Sequence, residues 1–475
     1  MHNSHRYVAR ATIEFKTPFI VASVKKGDVA DSSFVTDING LPAIPGTSIA
    51  GAIKDAFKSP DNEETIKSIF GYQEGNEGQG SRLTVSWACI HGSDNKPVEG
   101  IYKDVEKDAV LADALAPDIR DHVRIGHKGV AEKHGKFDEQ PVSAGHRFTF
   151  EMEMKGDGGE KDNSEWEGLL KTLCSGDLKL GGKTRRGFGA FEVKSLKTKT
   201  KPFYLKNDFK AYSEHPVSLR VDCGLDEELD IYKGKKAACS EVVKITLIPD
   251  GYWMFGGGDD AKGTADSAPV RASRIKWVKT GEGKEVKETG EIRSINEREF
   301  LIPGSSLKGA LSHRTAFYYN ALIGNFADEI DNPEDVTGVN NEAVKELFGF
   351  VKEKVKNGGK KAQKGKVMID DVYYESKEAK DQVVHHVSID RFSGGAMAGM
   401  LFDERPLWKG RLEVNIAVEM LTDVKDVRIK TAFRKAIEDL CEGRLQTGAG
   451  SGRGEGYFTG VDGWKNELNK VLGGE

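Results

Sequence analysis

Ile44-Pro45-Gly46-Thr47-Ser48-Ile49-Ala50-Gly51-Ala52-Ile53 returns in the second half of the chain as Ile302-Pro303-Gly304-Ser305-Ser306-Leu307-Lys308-Gly309-Ala310-Leu311. Four more blocks recur around it in the same order. Upstream, Ala30-Asp31-Ser32-Ser33-Phe34-Val35 matches Ala265-Asp266-Ser267-Ala268-Pro269-Val270. Downstream, Ile69-Phe70-Gly71 matches Leu347-Phe348-Gly349, and HVRIG…FDEQPV over 122–142 matches HVSID…FDERPL over 386–407. Last, the glycine-rich stretch 181–191 (GGKTRRGFGAF) matches 448–458 (GAGSGRGEGYF). One match is a coincidence; five in order are a duplication. The spacing between partners is 235 residues at the Asp blocks and 267 at the glycine loops, so the second copy carries the larger inserts.

Each copy reads as the same succession of elements. Residues 7–15 alternate apolar with polar side chains, the period of a half-buried strand. The Pro-Gly pair then breaks the extended run, and Thr47 or Ser48 is placed to cap a helix reaching about Phe57. In the second copy, Ser305 or Ser306 would cap a helix reaching about Leu322. Strands follow at 82–90 and 146–154, a helix at 166–174, and a last strand at 189–193; the second copy repeats them at 366–373, 411–420, 429–442 and 456–461. Strand, helix, strands, helix, strand predicts an α+β fold with two tandem ferredoxin-like modules, also described as RRM-like. The expected division is 1–197, a connecting segment 198–238 in which residues 217–221 pair as an edge strand, and 239–475.

Bulk properties fit that division. A chain of 475 residues exceeds one ordinary core and suits two domains. Its 55 glycines cluster instead of recurring every third residue, which excludes collagen and points to loops where the backbone comes close to something. No apolar run long enough to cross a membrane occurs, and five scattered cysteines without a CxxC pair argue for a reduced, cytoplasmic setting. The net charge of −5 hides strong segregation: basic residues crowd 179–206 and 352–366, acids crowd 328–335. Local patches, more than the sum, decide whether phosphate is met.

The glycine loops alternate Gly with Lys183, Arg185 and Arg186 in one copy and with Arg453 in the other. Bare backbone and guanidinium forks suit a phosphate ribbon; the plainer alternative is a tight turn carrying surface arginines. Gly182-Lys183-Thr184 resembles the tail of a P-loop, but Asp177 stands where its first glycine is needed. The helix starts at Ser48, Ser305 and Ser306, with Lys54 and Lys308 further along, offer amides and ammonium groups to the same polymer.

Taken together, the IPGSSLKGAL block with its upstream Asp, LFG, Val387-Ser388-Ile389-Asp390-Arg391 and the terminal glycine loop resemble the RAMP superfamily, and more narrowly the backbone subunits of type III CRISPR effector complexes. The first copy departs from the pattern, with Gly126-His127 where the second has Asp390-Arg391. The resemblance implies a tandem fusion that holds a CRISPR guide RNA by its phosphates and works with target RNA and other effector subunits. It implies a thumb-like hairpin in each module, about 124–141 and 390–406, with His122, Arg124 and His127 in one and His386, Arg391 and Phe392 in the other. Splayed target nucleotides would then be cut by attack of the 2′-hydroxyl, with Asp31 and Asp266 as catalytic, metal-binding carboxylates and Mg²⁺ as cofactor. Asp28, Asp259 and Asp260 compete for those two roles. The alternatives are a purely structural guide-RNA scaffold and a guide-processing endoribonuclease.

Overall fold

The computed structural model describes residues 3–21, 34–57, 62–232, 240–258, 263–281, 287–292, 298–351, 362–375 and 379–473. The first module is built from β1 (His5–Phe15), α1 (Gly46–Phe57), β2 (Leu83–Val85), a hairpin of β3 (Arg120–Ile125) and β4 (Ala131–Glu139), β5 (Arg147–Gly156), α2 (Glu160–Cys174) and β6 (Phe191–Thr198). Its sheet runs β6-β1-β5-β2, all antiparallel. The second module repeats the plan with β7 (Ser240–Pro249), α3 (Gly304–Ile323), β8 (Val367–Ile369), a hairpin of β9 (Val384–Ile389) and β10 (Ala396–Glu404), β11 (Leu412–Glu419), α4 (Val427–Cys441) and β12 (Phe458–Gly460). Its sheet runs β12-β7-β11-β8 in the equivalent order. These are two ferredoxin-like modules. Among the described residues no helix is long and apolar enough to cross a membrane.

Alternation puts one face of each sheet under its helices. Ala9, Ala11, Ile13 and Phe15 of β1 meet Phe148, Phe150 and Met152 of β5 in a core closed by Ile49 and Ile53 of α1 and Leu169, Leu170 and Leu173 of α2. Val243, Ile245 and Leu247 of β7 and Val414, Ile416 and Val418 of β11 make the second core with Leu307 and Leu311 of α3 and Phe433, Ile437 and Leu440 of α4.

The glycine of each IPG block has a packing role. A Cβ on Gly46 would collide with the Val85 carbonyl, and one on Gly304 with the Ile369 carbonyl. Only a bare backbone lets the helix start press on the strand beside it. The expected serine caps do not form at α3: Pro303 is the N-cap, and the Gly304 N–H donates to Asp371 Oδ1 at 2.9 Å.

Residues 198–232 pack on the first module. Phe203–Tyr204 pairs with β1, Asp226–Glu227 pairs with the edge of β6, and Tyr232 enters the first core. Residues 217–221, expected as the edge strand, form none; the Arg10 guanidinium instead collects the carbonyls of Pro216, Ser218 and Val221. Backbone carbonyls turned onto a buried cation cannot also pair along a sheet edge.

The extra length between Asp266 and the second IPG block includes a hairpin, Ile275–Thr280 with Lys287–Ile292, that straps the second module to the first. Ile275 N donates to Ala144 O at 2.9 Å, Trp277 Nε1 to Gly145 O at 2.8 Å, and Gly290 N to Ser93 O at 2.9 Å. The Arg147 guanidinium lies 4.3 Å from the centre of the Trp277 ring and pairs with Glu288.

Candidate nucleic-acid interface

In both modules a hairpin projects from the sheet, and its base is fastened to the glycine loop. His122 of β3 and Phe137 of β4 face each other across the first hairpin with rings stacked at 5.0 Å. His386 of β9 and Phe402 of β10 do the same at 4.9 Å in the second. A glutamate closes each hairpin: Glu139 is 1% exposed and Glu404 is 7% exposed. The first receives the Lys183 ammonium from its glycine loop. The second receives Arg453, whose Nη2 donates to both carboxylate oxygens at 2.7 and 2.6 Å. Arg186 and Arg453, at equivalent loop positions, lie over the Phe137 and Phe402 rings at 6.0 and 5.7 Å.

Beyond their bases the hairpins are open to solvent. Val123, Ile125 and Val130 stand exposed on one, and Ile389, Met397, Met400 and Leu401 on the other, with Phe392 fully exposed near the second tip. Arg124 is exposed with Glu132 at 3.5 Å, and His127 and Arg391 are exposed. Apolar and basic side chains raised on a stiff ribbon can wedge between bases and meet the backbone beside them. Burial, with Arg120, Lys183 and Arg186 close by, holds the His122 imidazole below its ordinary range, against the pull of Glu139. His122 is thus a neutral ring at neutral pH.

The first glycine loop lies in the joint between modules. Lys179 pairs with Asp370 and Arg185 with Glu419 of β11. Arg120, at the foot of β3, donates to Asp371 at 2.7 Å, the same carboxylate that accepts from Gly304 N. Lys308, expected to meet phosphate, donates instead to the carbonyls of Arg185 at 2.9 Å and Val367 at 2.8 Å. Burial, then the charges of Arg185, Arg186 and Lys179, push its pKa down to about 7. The Nε and Nη1 atoms of Arg185 and Nη2 of Arg120 are buried without hydrogen-bond partners. The cations at the joint are thus matched by carboxylates, while several of their N–H groups go unused.

The remaining expected residues are scattered. Ser48 and Ser305 are half-buried and Ser306 is exposed at their helix starts; the Ser48 and Ser306 amides close turns onto Pro45 and Pro303 at 2.9 and 3.0 Å. Lys54 is exposed with its ammonium 5.9 Å from the Phe70 ring centre. Asp31, with Asp28, Asp259 and Asp260, lies outside the described residues. Asp266 is exposed at the foot of the second hairpin, where one carboxylate oxygen accepts from Asp403 N at 2.8 Å and Asp266 N donates to Asp403 O at 2.9 Å. Among the described residues Asp266 joins no three-ligand cluster. A single exposed carboxylate suits Mg²⁺, which keeps several waters and takes further oxygens from phosphate.

Sequence reading passed over Glu139 and Glu404, although the repeated FDE triplet carried the signal: an acid at the same place in both copies. It had no means of finding Arg120, Asp370 and Asp371, which the duplication does not repeat.

A family model described as the RAMP superfamily matches the chain over residues 12–192 and 251–459. No curated protein matches the chain.

Proposed function

The chain belongs to the RAMP superfamily, and on that premise we propose that it is a guide-RNA-binding backbone segment of a type III CRISPR effector complex. What carries the reading is the repetition of one device: an exposed hairpin whose His–Phe–Glu base is fastened to a basic glycine loop. Two such devices on modules locked together by a strap give two fixed reading points along one RNA strand. Guide phosphates run past the exposed Arg186, and the hairpins enter between guide and target. Partners flanking the chain complete the groove, since the overall charge of −5 leaves only local patches positive.

Target cleavage is the second part of the proposal. A nucleotide splayed at each hairpin frees its 2′-hydroxyl to line up with its own phosphate, a geometry that an A-form helix disfavours. Asp31 and Asp266 are the proposed carboxylates; with Mg²⁺ bound there, the ion would supply charge neutralisation at the phosphate. Asp266 would hold it through the oxygen not engaged by Asp403 N. A scaffold without catalysis is favoured by a single observation: the Asp266 carboxylate ties the loop to the hairpin foot, a structural use sufficient in itself.

The two readings separate in the assembled complex with guide and labelled complementary RNA. Wild type, Asp31→Ala, Asp266→Ala and the double variant are compared in Mg²⁺ and in EDTA. Loss of one product band per single variant, with assembly intact, supports cleavage at both modules. Equal cutting by all four leaves a scaffold whose aspartates are structural.

A further inference from the structure

The two hairpin bases share a plan but differ in charge: Val384 stands where the first has Arg120, and two further exchanges lie within the glycine loop. Where the first loop has Lys183 the second has Gly450, and where the first has Phe188 the second has Glu455. The loops keep the same local backbone: Lys183 has φ +58° and Gly450 φ +77°. In the first module the Lys183 side chain leaves this left-handed position to neutralise Glu139. In the second, a Cβ on Gly450 would run into the Glu455 carboxylate, so Glu455 occupies the lane that the lysine uses. One carboxylate among two loop cations has become two carboxylates with one cation, Arg453.

Glu455 is 7% exposed, and its Oε2 is buried without a hydrogen-bond partner, as is His386 Nε2. His386 Nε2 lies 3.2 Å from Glu404 Oε2, and one ligand atom each from His386, Glu404 and Glu455 fall within 4.8 Å of one another. Arg453 Nη2 bonds both oxygens of Glu404, which leaves Glu455 Oε2 without a donor. A buried carboxylate without a donor is expensive unless a cation meets it.

We propose that His386, Glu404 and Glu455 form a binding site for a divalent transition-metal ion of the Zn²⁺ type, which fastens the second hairpin to its glycine loop where the first module uses Lys183. One imidazole and two carboxylates suit Zn²⁺ or Mn²⁺ better than Mg²⁺, which favours all-oxygen octahedral shells. The ion bridges β9, β10 and the loop before β12, three segments that Arg453 alone does not join. Asp266 is not among the three ligands, and the site does not depend on the RNA-binding reading.

The test uses the full chain, stripped with chelator and titrated with ZnCl₂ and, separately, MgCl₂, by calorimetry and elemental analysis. Proteolysis of the hairpin is followed in parallel. We expect one equivalent of Zn²⁺ per chain, protection of the second hairpin on binding, and at least ~10-fold weaker binding in Glu455→Gln. The double variant Gly450→Lys with Glu455→Phe copies the first module's arrangement, and should fold with a protected hairpin while binding no Zn²⁺. Absence of binding by wild type, or the same affinity in wild type and Glu455→Gln, overturns the proposal. The first outcome would mean that the two carboxylates share a proton, the second that Zn²⁺ sits elsewhere.

Discussion

The glycine loop of the first module and that of the second descend from one motif and lead different lives. The first is covered: Lys179, Arg185 and the backbone beside them are engaged by Asp370, Glu419 and Lys308 of the following module. In the second, Ser451, Gly452 and Arg453 remain exposed. A loop built of bare backbone and cations can dock on a protein carboxylate or on a phosphate, because both present oxygens in similar geometry. Whether a neighbour brings acids to it decides which. The first loop shows what a neighbouring module does to such a surface: it brings an acid to the cation but leaves some of its donors, such as Arg185 Nε, unsatisfied.

The sharpest way to break this comparison is to open the joint. Asp371→Ala removes the partner of the buried Arg120 and the acceptor of Gly304 N at once. Leaving a buried guanidinium unpaired costs about 3–5 kcal/mol, read as a loss of unfolding free energy in denaturant and as increased protease sensitivity at the joint. A loss under about 1 kcal/mol would mean that solvent reaches the pair.

Next in size is a pH effect. The Lys308 pKa falls from 10.5 to about 7 on folding. Between those values the unfolded chain holds a proton that the folded chain does not, so stability rises as pH climbs through the window. The slope reaches at most ~1.4 kcal/mol per pH unit. Lys308→Met should remove this rise, so that its stability relative to wild type is most favourable near pH 7 and below, offset by the two hydrogen bonds it loses. An unchanged pH profile would place the lysine's proton elsewhere. The smallest effect is expected from a second link across the same modules, the exposed pair of Lys364 with Asp55. Lys364→Ala should shift stability by no more than about 0.5 kcal/mol; a larger loss would show that surface pairs, and not the buried joint, hold the modules together.

Much of the fold was legible because duplication printed it twice. The strand and helix order followed from alternation and from the paired IPG and glycine blocks, and the sheet order in both modules agrees with it. Two features of the second helix start were hidden for one reason. Ser305 and Ser306 looked like caps, and Lys308 looked available, because nothing in the local sequence announces Asp371 or the Arg185 and Val367 carbonyls that meet them. Those partners come from distant segments, and the Arg120–Asp371 pair forms only where one module abuts another. A motif repeated in both copies speaks for what each module does alone. The joint exists once, so no internal comparison could reveal it. Glu455 escaped notice for a different reason: its signal was a departure from the repeat, Phe188 against Glu455, and a search for matches passes over departures.

If the two modules hold one RNA strand through its phosphates, guide-RNA affinity must fall with salt. Wild type is compared with Arg186→Ala, Arg391→Ala and the double variant, residues exposed on the first loop and the second hairpin tip. Weaker binding is expected regardless of RNA sequence, with the slope of log K against log salt falling by ~0.7 for each phosphate no longer neutralised. Salt-independent binding, or a double variant indistinguishable from wild type in affinity and slope, would contradict it.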